Sequence, residues 1–167
     1  MGVSELDIRI SRISEVAGKC HLHRWEMLRY GNLQDDIIVD LKARMEEDNA
    51  SDSLVLRLEA FYSYMRSMVR RPLLDYAVEV VFEIPSVADY VGFTPARDRV
   101  AIPPSLMAMM LNVAIGALRG MIAQKTVGTP LEERPLPLVN VSQLVSRLIY
   151  GDRPSERTIP VSSQICV

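Results

Sequence analysis

Hydrophobic and polar residues alternate along three stretches in the first half of the chain. The stretches read "DIIVDLKARMEE", "LVLRLEAFYSYM" and "LLDYAVEVVFEI", and short polar segments separate them. A period of two is typical of strands that bury one face and expose the other. The pattern therefore predicts three consecutive strands, each with one apolar face.

A shorter alternation near the start of the chain predicts one more strand. Leu6, Ile8 and Ile10 are apolar with polar residues between them, and we expect the strand to break before Ile13. Residues 17–35 have no clear period and are predicted to be irregular. Four alternating strands in succession predict a four-stranded antiparallel meander.

A long apolar segment follows the predicted strands. "LMAMMLNVAIGALRGMIA" spans 106–123, and Pro103 and Pro104 precede it in the manner of a helix start. The segment is nearly long enough to cross a bilayer, but Asn112 and Arg119 lie within it, and an arginine at that depth is costly. We therefore predict a buried helix from about residue 103 to 126, without stable membrane insertion.

This helix has few polar residues on any side, which predicts that it is buried all round. One four-stranded sheet covers only one side of a helix. The simplest cover for the other side is a second copy of the chain, so the pattern predicts a homo-oligomer, a dimer or a tetramer, with helices between sheets.

A second, short helix is predicted after the proline-containing segment "VGTPLEERPLPLVN". Asn140 and Ser142 are good N-cap residues, and the helix should end near residues 150–151. Its apolar stripe consists of Val141, Leu144, Val145, Leu148 and Ile149. The predicted fold class is thus α+β, with one domain over residues 1–151 and a flexible tail over 152–167.

Composition narrows the possible partners and the compartment. The chain has 167 residues, 49% hydrophobic and 24% charged, with a net charge of -2. Such a balance gives no broad positive field for nucleic acid. The two cysteines, Cys20 and Cys166, are far apart and no apolar signal segment opens the chain, so we expect a reducing, cytoplasmic location.

Candidate reactive groups are few. "CHLH" places Cys20 beside His21 and His23, but structural zinc sites need about four ligands and no other cluster accompanies these residues. No motif of a nucleophilic cysteine surrounds Cys20, and no glycine-rich phosphate loop occurs. We expect no catalytic residue, no metal site, no cofactor and no enzymatic activity.

Adaptable apolar side chains are abundant instead. The chain has nine methionines, and aromatic residues concentrate on the third and fourth predicted strands. An ordinary core explains many of them, but the total exceeds what one sheet and two helices bury, which predicts a groove for apolar polypeptide segments. The candidate client-binding residues are Phe61, Tyr62, Tyr64, Met65, Tyr76 and Phe82.

The segment between the two predicted helices resembles the SecB family of export chaperones. "VGTPLEERPLPLVNVSQLV" is similar to that family's Gly-Thr, its later apolar-Pro-Val-Asn run and the short helix that follows. The matching residues are Gly128, Thr129, Pro137, Val139, Asn140 and Leu144. The order of four strands, a long helix and a short helix is that of the family, so the resemblance covers most of the chain.

This resemblance implies an ATP-independent holdase that keeps unfolded or precursor proteins in apolar grooves, in protein transport and export. It also implies a tetramer built as a dimer of dimers, and docking on a SecA-type motor through acidic residues. Glu79 in "YAVEVV" matches one such acid on the fourth strand. Arg12 and Val16 stand where two others are expected.

The leading hypothesis is therefore a SecB-like holdase for unfolded polypeptide clients. One variant is a dedicated chaperone of a single client such as an antitoxin, which the departure at Arg12 and Val16 favours. Alternatives of other classes are an apolar small-ligand binding protein or hotdog-like enzyme, and a structural adaptor. The enzyme alternative needs polar reactive groups near the long helix, where Asn112 and Arg119 are the only strongly polar residues between 106 and 123.

Overall fold

The computed structural model describes residues 8–21, 37–48, 52–66, 68–84, 92–93, 100–150 and 159–161. The strands are β1 (Arg9–Cys20), β2 (Ile37–Asp48), β3 (Ser53–Arg66), β4 (Val69–Glu83), β5 (Gly92–Phe93), β6 (Val100–Ala101) and β7 (Ile159–Val161). The helices are α1 (Pro104–Lys125) and α2 (Val141–Tyr150). The predicted α+β class, with four long strands followed by a long and a short helix, is confirmed.

The main sheet has the strand order β1-β4-β3-β2-β7, with antiparallel pairing throughout. The predicted meander is confirmed for β2, β3 and β4, which follow one another across the sheet. The first strand, however, lies beside β4 rather than β2. β2, β3 and β4 lie side by side in chain order, and β1 pairs with β4, the last of them. This is the arrangement of a Greek key.

The prediction that the first strand breaks before Ile13 is wrong. β1 continues to Cys20, and its pairing with β4 shifts between Ile10 and Arg12 and again between Glu15 and Ala17. Each shift is a bulge, which adds a residue to one strand and turns the following side chains to the other face. The alternation is therefore interrupted while the strand goes on, and residues 17–20 are not irregular.

The core lies between one face of the sheet and α1. Alternate residues of β3 and β4 are buried there, as the period of two predicts. α1 contributes its own buried row. The largest fully buried side chains include Tyr62, Phe82, Leu54, Leu56, Leu58, Met107, Met110 and Leu111.

The segment between the helices packs along α1 and joins the same core. Leu131 and Leu136 are buried, and Arg119 of α1 donates to the carbonyl oxygens of Leu136 (3.1 Å) and Pro137 (3.2 Å). Gly128 has a φ of +74°, a left-handed conformation that glycine adopts readily. The proline-containing segment is therefore held in a defined place along α1.

The short helix confirms the second helical prediction. The Asn140 side-chain oxygen accepts a hydrogen bond of 3.1 Å from the Gln143 backbone N–H, as an N-cap residue does. Leu144 and Val145 are buried and face the core, while Val141 and Leu148 pack against its border. α2 thereby covers a further part of α1.

α1 is long and apolar enough to cross a membrane by length and composition, and 44% of its most apolar window is buried in the structure. The sheet, the connection and α2 all cover parts of it. The expectation that only the sheet covers this helix within one chain is therefore wrong. What stays open is a stripe that includes Met109, Gly116 and Gly120.

Three residues of the predicted tail form β7, which pairs with Val39–Leu41 of β2. The rest of 152–167 lies outside the described residues, so a flexible tail stays a prediction. His23 of the "CHLH" motif also lies outside the described residues. His21 directly follows β1, and its Nε2 atom lies 3.6 Å from Asp75 Oδ2.

Candidate functional site

Four of the six predicted client-binding residues are core residues in this conformation. Tyr62, Tyr76 and Phe82 are at most 3% exposed, and Tyr64 is 8% exposed. All four belong to the cluster that packs between the sheet and α1. A client would reach these four side chains only if the core opened, so their role in binding stays a prediction.

Tyr62 is unusual among these core residues. Its hydroxyl is buried and has no hydrogen-bond partner among the described residues. Burial raises the pKa of this phenol, and the nearby Arg119 charge opposes the shift in part. A buried hydroxyl without a partner lowers stability, so Tyr62 carries a local energetic cost within the core.

Phe61 lies on the opposite, outer face of the sheet. The Lys42 ammonium lies 5.1 Å from the centre of its ring, within the range of a cation–π contact. The ring lines an open depression with a volume of about 370 Å³. The other lining residues are Asp40, Lys42, Ser63, Arg70, Pro72 and Asp75.

Charges in this depression compensate one another. The buried Asp40 carboxylate accepts a hydrogen bond from Arg70, and Arg70 Nε also donates to Ser63 Oγ at 2.9 Å. A buried carboxylate needs such a partner, because an unpaired charge in the interior is costly. The depression thus offers an aromatic ring and a rim of paired charges rather than a group ready to react.

Met65, the last of the six predicted residues, is half-buried near the end of β3. The hairpin that follows carries the exposed side chains of Met68 and Val69. Met68 has a φ of +66°, in the left-handed region where a side chain is unfavourable.

Glu79, the predicted docking acid, lies on the outer face and is paired. Its Oε1 accepts a hydrogen bond of 2.9 Å from Arg12 on β1, and Arg57 of β3 lies directly opposite it in the sheet register. Arg12 stands where the SecB resemblance implies an acid. It therefore neutralises Glu79, the acid that does match. This surface presents a compensated charge pattern.

A further group of exposed apolar side chains lies on β1. Ile10 and Ile13 are 49% and 45% exposed, and their register partners Phe82 and Val80 place them on the face that carries α1. α1 packs on β3 and β4, and these two side chains of β1 stay about half exposed. An apolar strip therefore lies beside the helix, and we name Ile10, Ile13 and the nearby Val16 the β1 strip.

Sequence reasoning missed the β1 strip as a site. It expected a strand that ended near Ile10, because the bulges shift Ile13 and Val16 out of the alternating pattern. Three β-branched residues at 10, 13 and 16 were the available signal. Only the placement of β1 beside β4 shows that no helix covers them.

At its other end, β1 is fastened to the core by a polar cluster. Tyr76 Oη donates a hydrogen bond of 2.6 Å to Glu15 Oε2, and Lys125 Nζ lies 3.4 Å from Glu15 Oε1. The Tyr76 hydrogen bond lowers the pKa of Glu15. Burial, followed by the bond to Glu15, raises the pKa of Tyr76.

Gly18 makes room for this cluster. A Cβ atom at this position would lie 2.4 Å from Glu15 Oε1 and 3.2 Å from a ring carbon of Tyr76. Cys20, two residues on, has a pKa that burial raises, so its thiol is held in the less reactive protonated form. The cluster is a structural latch between β1, β4 and α1.

No group of three histidine, cysteine or acidic side chains gathers within the described ranges in a way that could hold a metal ion. Of the two strongly polar residues between 106 and 123 on α1, Asn112 is exposed and Arg119 is bound to backbone carbonyls. The hotdog-like alternative stays a hypothesis.

Comparison with known proteins finds a similarity in structure. Neither a protein-family model nor a curated protein sequence matches this chain. Among solved structures it is similar to a SecB-like chaperone of Mycobacterium tuberculosis, in complex with a ChAD peptide from the HigA1 antitoxin. The two chains are 16% identical, the match covers 79% of this chain and 86% of the other, and the TM-score is 0.45. The function proposed below rests on the residues of this chain.

Proposed function

We propose that this protein is an ATP-independent holdase that binds unfolded or partly folded polypeptides in the cytoplasm. The observation that carries the proposal is the β1 strip, an exposed apolar surface beside a helix. The carboxylates of Glu15, Asp40 and Glu79 are each paired with a basic side chain. Such a surface favours binding over chemistry.

The energetics suit reversible holding. Burying a half-exposed isoleucine against a client stabilises the complex by about 1 kcal/mol. Several such contacts along one client chain add up, because each additional contact is intramolecular once the first has formed. Binding is therefore tight for a long unfolded chain and weak for any single segment, with no need for a nucleotide.

The proposal is tested by light scattering from a chemically unfolded test protein that aggregates on dilution. The purified chain should slow the aggregation without ATP. Ile13→Glu, in the β1 strip, should raise the concentration needed several-fold. Met68→Glu changes an equally apolar, 96% exposed residue at the distant hairpin and serves as the matched control. A parent protein that fails to slow aggregation would overturn the proposal.

A dedicated chaperone of one client, such as an antitoxin, is the second candidate. The Arg12–Glu79 pair favours it over docking on a SecA-type export motor, because the acid that would serve docking is neutralised. The same assay with several unrelated unfolded proteins separates the two. A general holdase protects most of them, whereas a dedicated chaperone protects one.

Assembly into a homo-oligomer is part of the proposal. The open stripe of α1 carries Met109, 45% exposed, and Gly116 and Gly120, where an added Cβ atom meets none of the other described residues within 4 Å. Packing of this stripe against a second copy would bury the methionine and let two helix backbones approach closely at the glycines.

A further inference from the structure

β7 is a short strand of this chain seated on the outer edge of β2. Val161, Pro160 and Ile159 lie opposite Val39, Asp40 and Leu41 in antiparallel register. β2 has 12 residues and pairs with β3 over all of them along its other edge, whereas β7 has three residues. The edge of β2 thus accepts an added strand, and the chain itself shows the register.

Proline in the middle of β7 determines how the two strands are joined. Antiparallel neighbours alternate between pairs that exchange hydrogen bonds and pairs that do not, and Pro160 has no N–H to give. The bonds must therefore join Val39 with Val161 and Leu41 with Ile159. The Pro160 nitrogen then faces away from β2, where a proline prevents any further strand from pairing.

β7 binds β2 weakly, because few hydrogen bonds join the two strands. Within residues 159–161, the part of the tail that the structure describes, its ladder comprises the two bonded pairs that flank Pro160, and each hydrogen bond contributes modestly because water competes for the same groups. Any other extended chain that offers N–H and C=O groups in the same register makes the same bonds. A longer segment makes more of them, because β2 extends beyond the three positions that β7 occupies.

We propose that the edge of β2 at Val39–Leu41 binds a client segment as an added antiparallel strand, and that β7 is a built-in occupant which the client displaces. The inference rests on the proposed holdase function and names the place where the client backbone is held. β7 keeps the edge covered in the absence of a client and so protects the protein from pairing with its own copies.

The residues of β2 define the kind of segment that fits. Val39 and Leu41 are buried on the face that carries α1, and directly opposite residues of paired strands share a face. Client residues opposite these two should therefore be apolar, as Ile159 and Val161 are in β7. The residue between them lies beside Asp40 on the outer face, next to the depression that Phe61 lines, and has no such requirement.

The first test compares Ile159→Pro with Ile159→Ala in the full chain. Both variants lose the isoleucine side chain, but only the proline variant loses the N–H that bonds to β2. The probe is a fluorescently labelled unfolded peptide with apolar residues at alternate positions, followed by anisotropy. The proline variant should bind it roughly two- to tenfold more tightly than the alanine variant, because a larger share of molecules has the edge open. Equal affinities would overturn the inference.

A second test holds the edge closed. Val39→Cys with Val161→Cys, in a chain whose Cys20 and Cys166 are changed to serine, places two thiols on opposite residues of adjacent strands, within reach of a disulfide. The oxidised form should bind the peptide at least several-fold more weakly than the same protein after reduction. If the two forms bind alike, β7 is no competitor. If the parent binds no peptide at all, the holdase proposal itself fails, which is a different outcome.

Discussion

Glu15 shows how a single residue ties three elements together. Its carboxylate accepts a hydrogen bond from Tyr76 on β4 and lies 3.4 Å from the Lys125 ammonium at the end of α1. Gly18 leaves the space that this arrangement needs. No sequence pattern predicts the cluster, since Glu15 and Tyr76 are 61 positions apart and meet only because β1 pairs with β4.

The lowered pKa of Glu15 predicts a pH dependence of stability. A carboxyl whose pKa is lower in the folded than in the unfolded chain stabilises the fold above its ordinary pKa of 4.5, and this contribution is lost as the pH falls below that value. Glu15→Gln should therefore lower the free energy of unfolding at pH 7, by less than about 1 kcal/mol because water screens the exposed carboxylate. Urea titrations at pH 7 and pH 3 measure the difference, which should be smaller at pH 3.

Tyr76→Phe provides the control, because it removes the hydrogen bond that chiefly lowers the pKa. In that background, Glu15→Gln should have a smaller effect at pH 7. A difference between parent and Glu15→Gln that is equal at both pH values would contradict the assignment.

At the scale of elements, the connection between the helices is held by Arg119. Its guanidinium bonds to two consecutive carbonyl oxygens, those of Leu136 and Pro137, while Leu131 and Leu136 are buried. In the sequence this arginine argues only against a membrane helix. In the structure it fixes a segment that lacks helical or strand bonding of its own.

Arg119→Met should therefore lower the free energy of unfolding by about 2 kcal/mol, because it removes two hydrogen bonds from a charged donor. Chemical unfolding in urea measures this as a shift of the midpoint at a constant slope. Arg119→Lys keeps the charge but not the paired donors and should give a smaller loss. Gln124→Met, an exposed change on the same helix, should leave stability nearly unchanged, and an equal loss there would contradict the role of Arg119.

For the whole molecule, the open stripe of α1 predicts association. Light scattering after size exclusion should find a dimer or a tetramer. Gly120→Leu should shift the protein toward monomer, because the added side chain separates helices that approach at the glycine. The isolated chain should tolerate this change, since a Cβ atom at Gly120 meets no other described residue within 4 Å and glycine is unfavourable within a helix.

Gln124→Leu, close to the edge of the stripe, is the matched control and should leave the mass unchanged. A monomeric parent protein, or a Gly120→Leu variant with the parent's mass, would contradict association through this stripe.

The sequence by itself determined β2 to β4 and the two helices. Periods of two in β2 to β4, a long and mostly apolar run in α1 and a capped amphipathic α2 are local properties, because burial imposes them on each segment separately. The tertiary structure alone decided that β1 lies beside β4, that Tyr62, Tyr76 and Phe82 are covered while Ile10 and Ile13 are not, and that β7 occupies the edge of β2. These outcomes depend on which distant strands pair and on where bulges shift the register. Neither can be predicted from residues that are neighbours in the chain.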